Sequence, residues 1–187
     1  MASALFLDRD GVINHDAGYA CSIEAFRFVD GIFALVRGVL ALGRRVVVVT
    51  NQAGIGRGYY TPDDFARLTA WMRDRFAEHG APLTAVYHCP YHPEGIPPWR
   101  GDAPCRKPRP GMLLEAAADL GLDLGASVLI GDHETDIAAG RAAGLKANGF
   151  FDPTGAQPRV AADAVLRDHG ESLAWVQAMT PCHVGSR

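Results

Sequence analysis

The sequence predicts an α/β fold built on a doubly wound parallel sheet. Short apolar runs of strand length alternate along the chain with segments in which apolar residues recur at helical spacing. The run from Val46 to Val49 is continuous and β-branched, as expected of a parallel strand that is buried on both faces. Alternating strands and helices require right-handed crossovers, which place helices on both sides of the sheet. The expected architecture is therefore Rossmann-like.

The composition restricts the class of protein. The chain has 187 residues, 48% of them hydrophobic, so we expect a single domain over residues 1–179 and a frayed tail over 180–187. A formal net charge of -3 provides no basic field for nucleic acid. The apolar runs are too short to span a membrane, and four cysteines are too few for a disulfide scaffold. These features predict a reduced, cytoplasmic, monomeric protein that binds neither nucleic acid nor a membrane.

The first half of the chain is predicted to form two strands and two helices. Residues 4–7 form an apolar strand, residues 32–42 have helical spacing, and residues 45–50 form the second strand. A helix then begins at Pro62, because a proline in the first turn is followed by acidic residues. Its buried face is expected to consist of Phe65, Leu68, Met72 and Phe76. The glycine-rich segment 52–60 is predicted to be a loop.

The second half continues the alternation around a long loop. The predicted strands are 85–88 and 127–131, with edge strands at 150–151 and 164–166, and the predicted helices are 111–120, 135–143 and one containing 173–176. Residues 89–110 are rich in proline and too irregular for a packed element. The inward residues of the first of these helices are expected to be Leu113, Leu114, Ala117 and Leu120. Three histidines are expected at the surface, namely His79, His169 and His183.

Polar residues follow four of the predicted strands, at the edge of the sheet where open α/β proteins place their chemistry. They are Asp8 and Asp10 after the first strand, Thr50 and Asn51 at the second, Arg106 and Lys107 closing the long loop, and Asp132 and Asp136 after the fourth. Together they supply a carboxylate nucleophile, a second carboxylate for proton transfer, a hydroxyl, an amide, a cation and hard oxygen ligands. That set suits Mg²⁺-dependent phosphoryl transfer.

These four motifs resemble those of the haloacid dehalogenase (HAD) superfamily of phosphatases. The matching segments are Asp8-x-Asp10-Gly-Val, Thr50-Asn51, Lys107 and Gly131-Asp132-x-x-x-Asp136. The similarity covers nearly the whole chain and implies a HAD-like fold with an aspartyl-phosphate intermediate. Residues 11–30 are too few for an inserted helical domain, so no large cap is expected.

Three longer segments resemble the D-glycero-D-manno-heptose 1,7-bisphosphate 7-phosphatases and their histidinol-phosphatase relatives. They are Asp8 to Asn14, Thr50 to Ile55 and Cys105 to Met112. The resemblance implies hydrolysis of the 7-phosphate of the heptose bisphosphate, a step toward the heptose of lipopolysaccharide or capsule. The alternative enzyme is a phosphatase of histidinol phosphate or of another small metabolite. A phospho-accepting switch module is the non-enzyme alternative, and Asp10 argues against it because a second carboxylate would hasten loss of the acyl phosphate.

The resemblance also implies the catalytic and metal-binding roles. Asp8 would attack phosphorus, and Asp10 would act first as the acid and then as the base. Mg²⁺ would be held by Asp8, the backbone carbonyl of Asp10 and Asp132. Asp136 would orient the waters of the metal.

The remaining candidates would bind the substrate, a small phosphorylated sugar or metabolite. Thr50, Asn51 and Lys107 would hold the phosphoryl oxygens. Arg106 would grip a distal group of the substrate, and Arg57 is a further candidate for that role. The position of His133, beside Asp132, usually holds lysine in the heptose enzymes, so its role is left open.

The loop from Cys89 to Cys105 departs from the pattern of the heptose enzymes, which usually carry a structural zinc there on Cys-x-His and Cys-x-Cys. Tyr91 stands in place of the expected histidine, and Ala103 in place of one cysteine. Structural zinc nearly always takes four nitrogen or sulfur ligands. Cys89, His92 and Cys105 therefore form an incomplete set, and two outcomes stay open: a rearranged zinc site, or a loop held by prolines and hydrogen bonds.

Overall fold

The computed structural model describes residues 1–16, 18–155 and 161–180. The strands are β1 (Ala4–Leu7), β2 (Arg45–Asn51), β3 (Ala85–Cys89), β4 (Val128–Gly131), β5 (Ala147–Phe151) and β6 (Ala164–Leu166). The α-helices are α1 (Ile32–Ala41), α2 (Ala53–Gly56), α3 (Pro62–Glu78), α4 (Gly111–Leu120), α5 (Glu134–Ala142) and α6 (His169–Ala178), and a 3₁₀ turn spans Leu124–Ala126. Residues 181–187, which include most of the predicted tail and His183, lie outside the described residues.

The strands form one sheet in the order β3-β2-β1-β4-β5-β6, and every pairing is parallel. The chain winds outward from β1 to β3, returns to the other side of β1 as β4, and then winds outward again. The carboxyl ends of β1 and β4 therefore flank the point where the winding reverses, which is where open α/β sheets bind ligands. The predicted doubly wound parallel sheet is confirmed.

Successive strand residues point to opposite sides of the sheet, and helices bury both of its faces. Leu5 and Val46 belong to one core cluster, with apolar residues of α1, α3 and α6. Phe6 and Val47 belong to a second cluster on the opposite face, with residues of α4 and α5. The β-branched run therefore packs between two helical layers, as the sequence predicts.

The start of α3 follows the sequence signal closely. The Thr61 hydroxyl accepts a hydrogen bond from the Asp64 backbone N–H, the Asp64 carboxylate accepts from the Thr61 backbone N–H, and Pro62 occupies the first turn. The four residues predicted for the inward face of this helix are all buried. Among the described residues, no helix is both long and apolar enough to cross a membrane.

The face of α4 differs from the prediction. Met112, Leu113 and Ala116 are buried, whereas Leu114 is about half exposed at 48%. The apolar run at the start of this helix is compatible with two neighbouring faces, and packing against the sheet selects the one centred on Leu113. The prediction that Leu114 points inward was wrong.

Two further local predictions are corrected by the structure. The segment 52–60, predicted to be a loop, contains the single helical turn α2. His169, predicted at the surface, begins α6 after the N-cap Asp168 and is buried, with its Nε2 3.0 Å from the Val12 carbonyl oxygen. That contact joins residues 157 positions apart, so no local pattern could indicate it.

The connections at the carboxyl ends of the strands are otherwise as expected. The described residues between β1 and α1 contain no helix or strand, so no large cap domain is inserted there. Those between β3 and α4 also form no regular element beyond an isolated bridge between His92 and Arg100. The carboxyl ends of β1 and β3 are therefore bordered by loops.

Candidate active site

The loop after β1 places Asp8 against the end of β4. The Asp8 backbone N–H donates to the Ile130 carbonyl at 3.0 Å, which joins the two strands where their carboxyl ends meet. Gly11 then turns the chain with φ +84°, and a Cβ at this position would lie 1.7 Å from the Asp132 Oδ2 atom. Only glycine permits both this conformation and this close approach. The backbone thus brings Asp8 and Asp132 together.

Lys107 is the buried cation of the site. Its Nζ atom lies 2.8 Å from Asp8 Oδ1 and 2.5 Å from Asp136 Oδ1, and it donates to the Val49 carbonyl at 2.9 Å. The other Asp136 oxygen accepts from the His133 backbone N–H at 3.0 Å, in the capping box of α5. The cation is therefore oriented by three sequence-distant elements.

The protein alone does not balance the charges at the site. Three carboxylates, those of Asp8, Asp132 and Asp136, surround one ammonium. Burial raises the pKa of Asp8 to about 7, opposed by the charge of Lys107 and reinforced by that of Asp136. Burial, together with the charges of Asp8 and Asp136, raises the pKa of Asp132 to about 8. Burial alone would lower the pKa of Lys107, but its two carboxylate partners outweigh burial and raise it.

This cluster fits a divalent cation. Asp8, Asp132 and Asp136 each offer one carboxylate oxygen, and these oxygens lie within 4.8 Å of one another. Hard oxygen ligands of this kind suit Mg²⁺, and a divalent charge would relieve the excess of carboxylates that raises the pKa values of Asp8 and Asp132.

Asp10 points to a different set of partners, all of which donate to its carboxylate. Arg9 forms an ion pair with it at 2.8 Å, the Asn14 amide donates to Oδ1 at 3.0 Å, and the Gln52 amide donates to Oδ2 at 3.1 Å. Arg9 is itself buried and also donates to the Ala20 carbonyl. Asp8 and Asp10 are thus separated by environment: one faces the ammonium, and the other is held by a guanidinium and two amides.

Asn51 makes a contact that the sequence did not predict. Its Oδ1 atom accepts from the Lys107 backbone N–H at 3.0 Å, and its amide donates to the Lys107 carbonyl at 3.1 Å. Both polar atoms of the side chain are therefore engaged by the backbone of Lys107. In this arrangement the side chain of Asn51 positions the lysine, while its Nδ2 atom has a second hydrogen and the residue lines the cavity over the site, so binding of a phosphoryl oxygen stays a prediction.

A cavity of about 230 Å³ lies over these groups. Its lining consists of Asp8, Asp10, Asn51, Arg106, Lys107, His133, Thr135 and Asp136. The Arg106 guanidinium is anchored to the Tyr91 carbonyl at 3.1 Å, which holds it at the rim. His133 caps α5, with its Nδ1 atom accepting from the Thr135 backbone N–H at 3.2 Å. Most of the residues singled out in the sequence are thus gathered around one cavity.

Arg57 is not among the residues that line this cavity. Its guanidinium donates to Glu94 at 2.9 Å and to the Tyr19 hydroxyl at 3.1 Å, and it lies 3.2 Å from His92 Nε2. The side chain is therefore engaged at the outer rim, between the first loop and the long loop. A direct contact with substrate at this site would require it to leave those partners.

The incomplete zinc set does not form a zinc site in this structure. Cys89 and Cys105 are bonded to each other as a disulfide, with their Cα atoms 5.5 Å apart, and His92 faces Arg57. No pair of thiolates is left for a metal, so these residues do not fit zinc. The sequence did not predict this bond, for which the strand β3 and the loop before Lys107 bring two cysteines 16 residues apart into contact.

Sequence reasoning missed several residues that hold the site together. Arg9, Asn14 and Gln52 bind Asp10, and the hydroxyl of Tyr60 donates to Gln52. The position of Arg9 between two key aspartates was an available signal. Tyr60 carried none, because a single aromatic residue in a glycine-rich segment most often belongs to a core.

Comparisons with known proteins agree with this geometry. A family model described as HAD-hydrolase-like matches residues 104–170. The chain is 51% identical over 180 residues to D-glycero-alpha-D-manno-heptose-1,7-bisphosphate 7-phosphatase of Burkholderia mallei, covering 95% of both proteins. It is 44% identical over 146 residues to D-glycero-beta-D-manno-heptose-1,7-bisphosphate 7-phosphatase of Pasteurella multocida, covering 78% of this chain and 79% of that protein.

A solved structure shows the same fold. The D,D-heptose 1,7-bisphosphate phosphatase of B. bronchiseptica, complexed with magnesium and phosphate, superposes with a TM-score of 0.80 at 25% identity. The match covers 94% of this chain and 98% of that one. The predicted HAD-like architecture is therefore confirmed, and a relative of the same fold binds the metal that the carboxylate cluster of this chain fits.

Proposed function

Because the chain belongs to the heptose-1,7-bisphosphate 7-phosphatases of the HAD-like hydrolases, we propose that it removes the 7-phosphate of D-glycero-D-manno-heptose 1,7-bisphosphate. It is a phosphoric monoester hydrolase. The observation that best supports the reaction is the placement of Lys107 Nζ between Asp8 and Asp136, beside Asp132, at the point where the winding of the sheet reverses. A phosphoryl group at this place would meet a nucleophile, a cation and metal ligands together.

Asp8 is the proposed nucleophile. One of its carboxylate oxygens forms a bond to phosphorus while the bond from phosphorus to the C7 oxygen of the sugar breaks. The product is an aspartyl-phosphate and a sugar oxygen that must receive a proton. The ion pair with Lys107 supports this role, because it orients the carboxylate and places a positive charge where the phosphoryl oxygens would lie.

Asp10 is the proposed acid and base. It protonates the departing C7 oxygen and then accepts a proton from the water that attacks the aspartyl-phosphate, releasing inorganic phosphate and restoring its own proton for the next turnover. Acid and base assistance of this kind is typically worth about 10²–10⁴-fold in rate. The donors around Asp10, namely Arg9, Asn14 and Gln52, match the carboxylate form in which it acts as the base.

Magnesium is proposed to bind Asp8, Asp132 and the backbone carbonyl of Asp10, with Asp136 next to it, and when bound it would supply positive charge to the phosphoryl oxygens. Lys107 and the Thr50 hydroxyl are the protein groups proposed to share that task. Arg106, anchored at the rim of the cavity, is proposed to contact the 1-phosphate or the sugar hydroxyls. Arg57 is a weaker candidate, because its present partners hold it outside the cavity lining.

The test is release of phosphate from a panel of esters. The panel contains both anomers of the heptose bisphosphate, since named relatives act on either, together with histidinol phosphate and p-nitrophenyl phosphate. We expect the highest kcat/KM for a heptose bisphosphate, loss of its 7-phosphate only, and no turnover after chelation of the metal. Asp8→Asn serves as the blank for contaminating phosphatases. Equal or better turnover of histidinol phosphate would contradict the proposed substrate.

A further inference from the structure

A buried chain of hydrogen bonds connects Tyr60 to both sides of the active site. The Tyr60 hydroxyl donates to Gln52 Oε1 at 2.5 Å. Gln52 Nε2 donates to Asp10 Oδ2 at 3.1 Å and to Thr50 Oγ1 at 2.8 Å. Gln52 and Thr50 are each 1% exposed, whereas the side chain of Asp10 is partly exposed. One amide therefore touches the proposed acid and base as well as a proposed phosphate-binding hydroxyl.

The hydrogen bonds that these groups can make depend on the orientation of the Gln52 side-chain amide. With the NH₂ group inward, its two hydrogens satisfy the Asp10 carboxylate and the Thr50 oxygen. With the amide reversed, Oε1 would face the carboxylate of Asp10, and two acceptors would oppose each other in a buried site. A hydroxyl that donates to Oε1 supports this orientation, because the reversed amide could still donate to the hydroxyl oxygen but would leave Oε1 against the Asp10 carboxylate.

The orientation of Gln52 also decides what the Thr50 hydroxyl can do. Because Thr50 Oγ1 accepts from Gln52, its own hydrogen is left to donate elsewhere, and no acceptor for it is found within the described residues. A reversed amide would instead accept that hydrogen. The Thr50 hydroxyl is thus available as a donor to a phosphoryl oxygen only while Gln52 keeps its present orientation.

Tyr60 is suited to control the Gln52 amide. Burial raises the pKa of its hydroxyl, so the group stays protonated and able to donate. Its ring is held against Gly54 of α2, where a Cβ would lie 2.1 Å from the ring atom Cε1, and it packs in a small core cluster with Ile55 and Phe65. The hydroxyl therefore has little freedom to move away from Gln52.

We propose that Tyr60 is a positioning residue, which fixes the side-chain amide of Gln52 so that Asp10 keeps a donor and Thr50 keeps a free hydrogen. This inference deepens the proposed function and rests on its assignment of Asp10 and Thr50 to the reaction. Tyr60 itself does not line the cavity above Asp8 and Lys107, although it borders a neighbouring cavity with Asp10 and Gln52.

The first test compares Tyr60→Phe with Tyr87→Phe. Tyr87 is a matched control, because its hydroxyl also donates to one side-chain oxygen, that of Asp119 at 3.0 Å, but on α4 and away from the site. Loss of one hydrogen bond of this kind is expected to lower kcat of Tyr60→Phe about tenfold, with KM within about twofold. Tyr87→Phe is expected to keep the kcat of the unmodified protein. Equal kcat for both variants would overturn the proposal.

A double-substitution cycle separates positioning from general destabilisation. Gln52→Met removes the amide and lowers kcat by more than Tyr60→Phe does, because Asp10 loses one of its three donors and the Thr50 oxygen loses the donor from Gln52. If Tyr60 acts through Gln52, adding Tyr60→Phe to Gln52→Met changes kcat by no more than about twofold. Losses that multiply across the two substitutions would show that Tyr60 acts by another route.

A spectroscopic measurement keeps the inference testable apart from the substrate. The side-chain ¹⁵N–H₂ resonances of Gln52 should shift in Tyr60→Phe and stay in place in Tyr87→Phe, and unchanged resonances in both would overturn the proposal. The kinetic comparison is made with p-nitrophenyl phosphate as well as with the heptose bisphosphate. A failure of the proposed sugar substrate would then appear in the unmodified protein, whereas a failure of the positioning role would appear only in the variants.

Discussion

Asp8 and Asp10 are two residues apart in the sequence, yet the structure gives them separate environments. Asp8 lies against Lys107 and near two further carboxylates, whereas Asp10 is bound by Arg9, Asn14 and Gln52. A carboxylate beside an ammonium and metal ligands is suited to attack phosphorus. Asp10 lines the same cavity beside Asp8, and proton transfer is its proposed role.

The two aspartates should therefore respond differently to substitution by asparagine. Asp8→Asn should abolish turnover, because no nucleophilic oxygen remains to form the aspartyl-phosphate. Asp10→Asn should lower kcat by about 10²–10⁴-fold, since the amide can neither give nor take a proton. Phosphate release at saturating substrate measures both effects. Residual turnover by Asp8→Asn equal to that of Asp10→Asn would contradict the separate roles.

Gly11 offers a second prediction at the scale of one residue. Gly11→Ala should abolish most of the activity, because its Cβ would collide with the carboxylate of Asp132. The control is Gly43→Ala, at a glycine with φ +75° and no atom within 4 Å of the added Cβ. Each variant should lose about 1–2 kcal/mol of stability from the left-handed backbone.

Unfolding by urea, together with phosphate release, checks the glycine comparison. Gly11→Ala should lose more activity than its loss of stability accounts for, whereas Gly43→Ala should not. Full activity in that variant would mean that the close approach of the loop to Asp132 is not required for the reaction.

At the scale of elements, the loop between β3 and α4 is the segment that carries Arg106 and Lys107 to the site. The structure joins its two ends through the Cys89–Cys105 disulfide, and Asn51 of β2 binds the backbone of Lys107 from the opposite side. The loop has no regular hydrogen-bonded element of its own. Its position depends on these tethers.

Cys105→Ser should consequently destabilise the protein. Closing a loop of 16 residues by a disulfide is worth about 3 kcal/mol in the chain-entropy description, and removal of the link also frees the residues next to Lys107. We expect a lower Tm and a lower kcat in the variant without reductant. Cys21→Ser is the control, since Cys21 forms no disulfide with another described residue.

A reducing agent should lower the Tm of the unmodified protein toward that of Cys105→Ser and leave the variant unchanged. Metal analysis of the purified protein should find no stoichiometric zinc. Zinc bound at one equivalent, or a Tm insensitive to reductant, would contradict the disulfide.

At the scale of the whole molecule, His169 connects the far end of the chain to the first loop. Its Nε2 atom contacts the Val12 carbonyl, which requires the hydrogen to be on Nε2, and its Nδ1 atom is buried without a hydrogen-bond partner among the described residues. Burial lowers its pKa, outweighing the opposing effects of the Val12 carbonyl and of Asp168. The folded state therefore favours the neutral imidazole.

The contribution of His169 to the free energy of unfolding should fall as the pH is lowered below about 6.5, the ordinary pKa of histidine. In that range the unfolded chain binds a proton at His169 that the folded protein does not, so this contribution is complete above this pH and declines below it. The free energy of unfolding of His169→Gln should therefore change less unfavourably than that of the unmodified protein between pH 7.5 and 5.5, measured by urea unfolding. Asp8 and Asp132, whose pKa values are raised, and His88, whose pKa is lowered by burial, stay in both proteins, so the difference isolates His169. Equal slopes would contradict this assignment.

Much of this protein was determined by local sequence. A short apolar run that is followed by polar residues identifies a buried strand and its carboxyl end from a few neighbouring residues. The apolar run before Asp8 and the valines before Thr50 are examples. The parallel order then requires those ends to share one edge of the sheet. The fold and the four groups of residues at its active edge follow from these patterns.

Only the tertiary structure decided which side chain meets which. Lys107 bridges Asp8 and Asp136, Asn51 binds the lysine backbone, and Tyr60 sets the Gln52 amide. The Cys89–Cys105 disulfide and the buried His169 belong to the same class. These contacts depend on distances between atoms that separate parts of the chain bring together. Hydrophobic periodicity does not predict these contacts, because it indicates whether a residue is buried and not which residue it contacts.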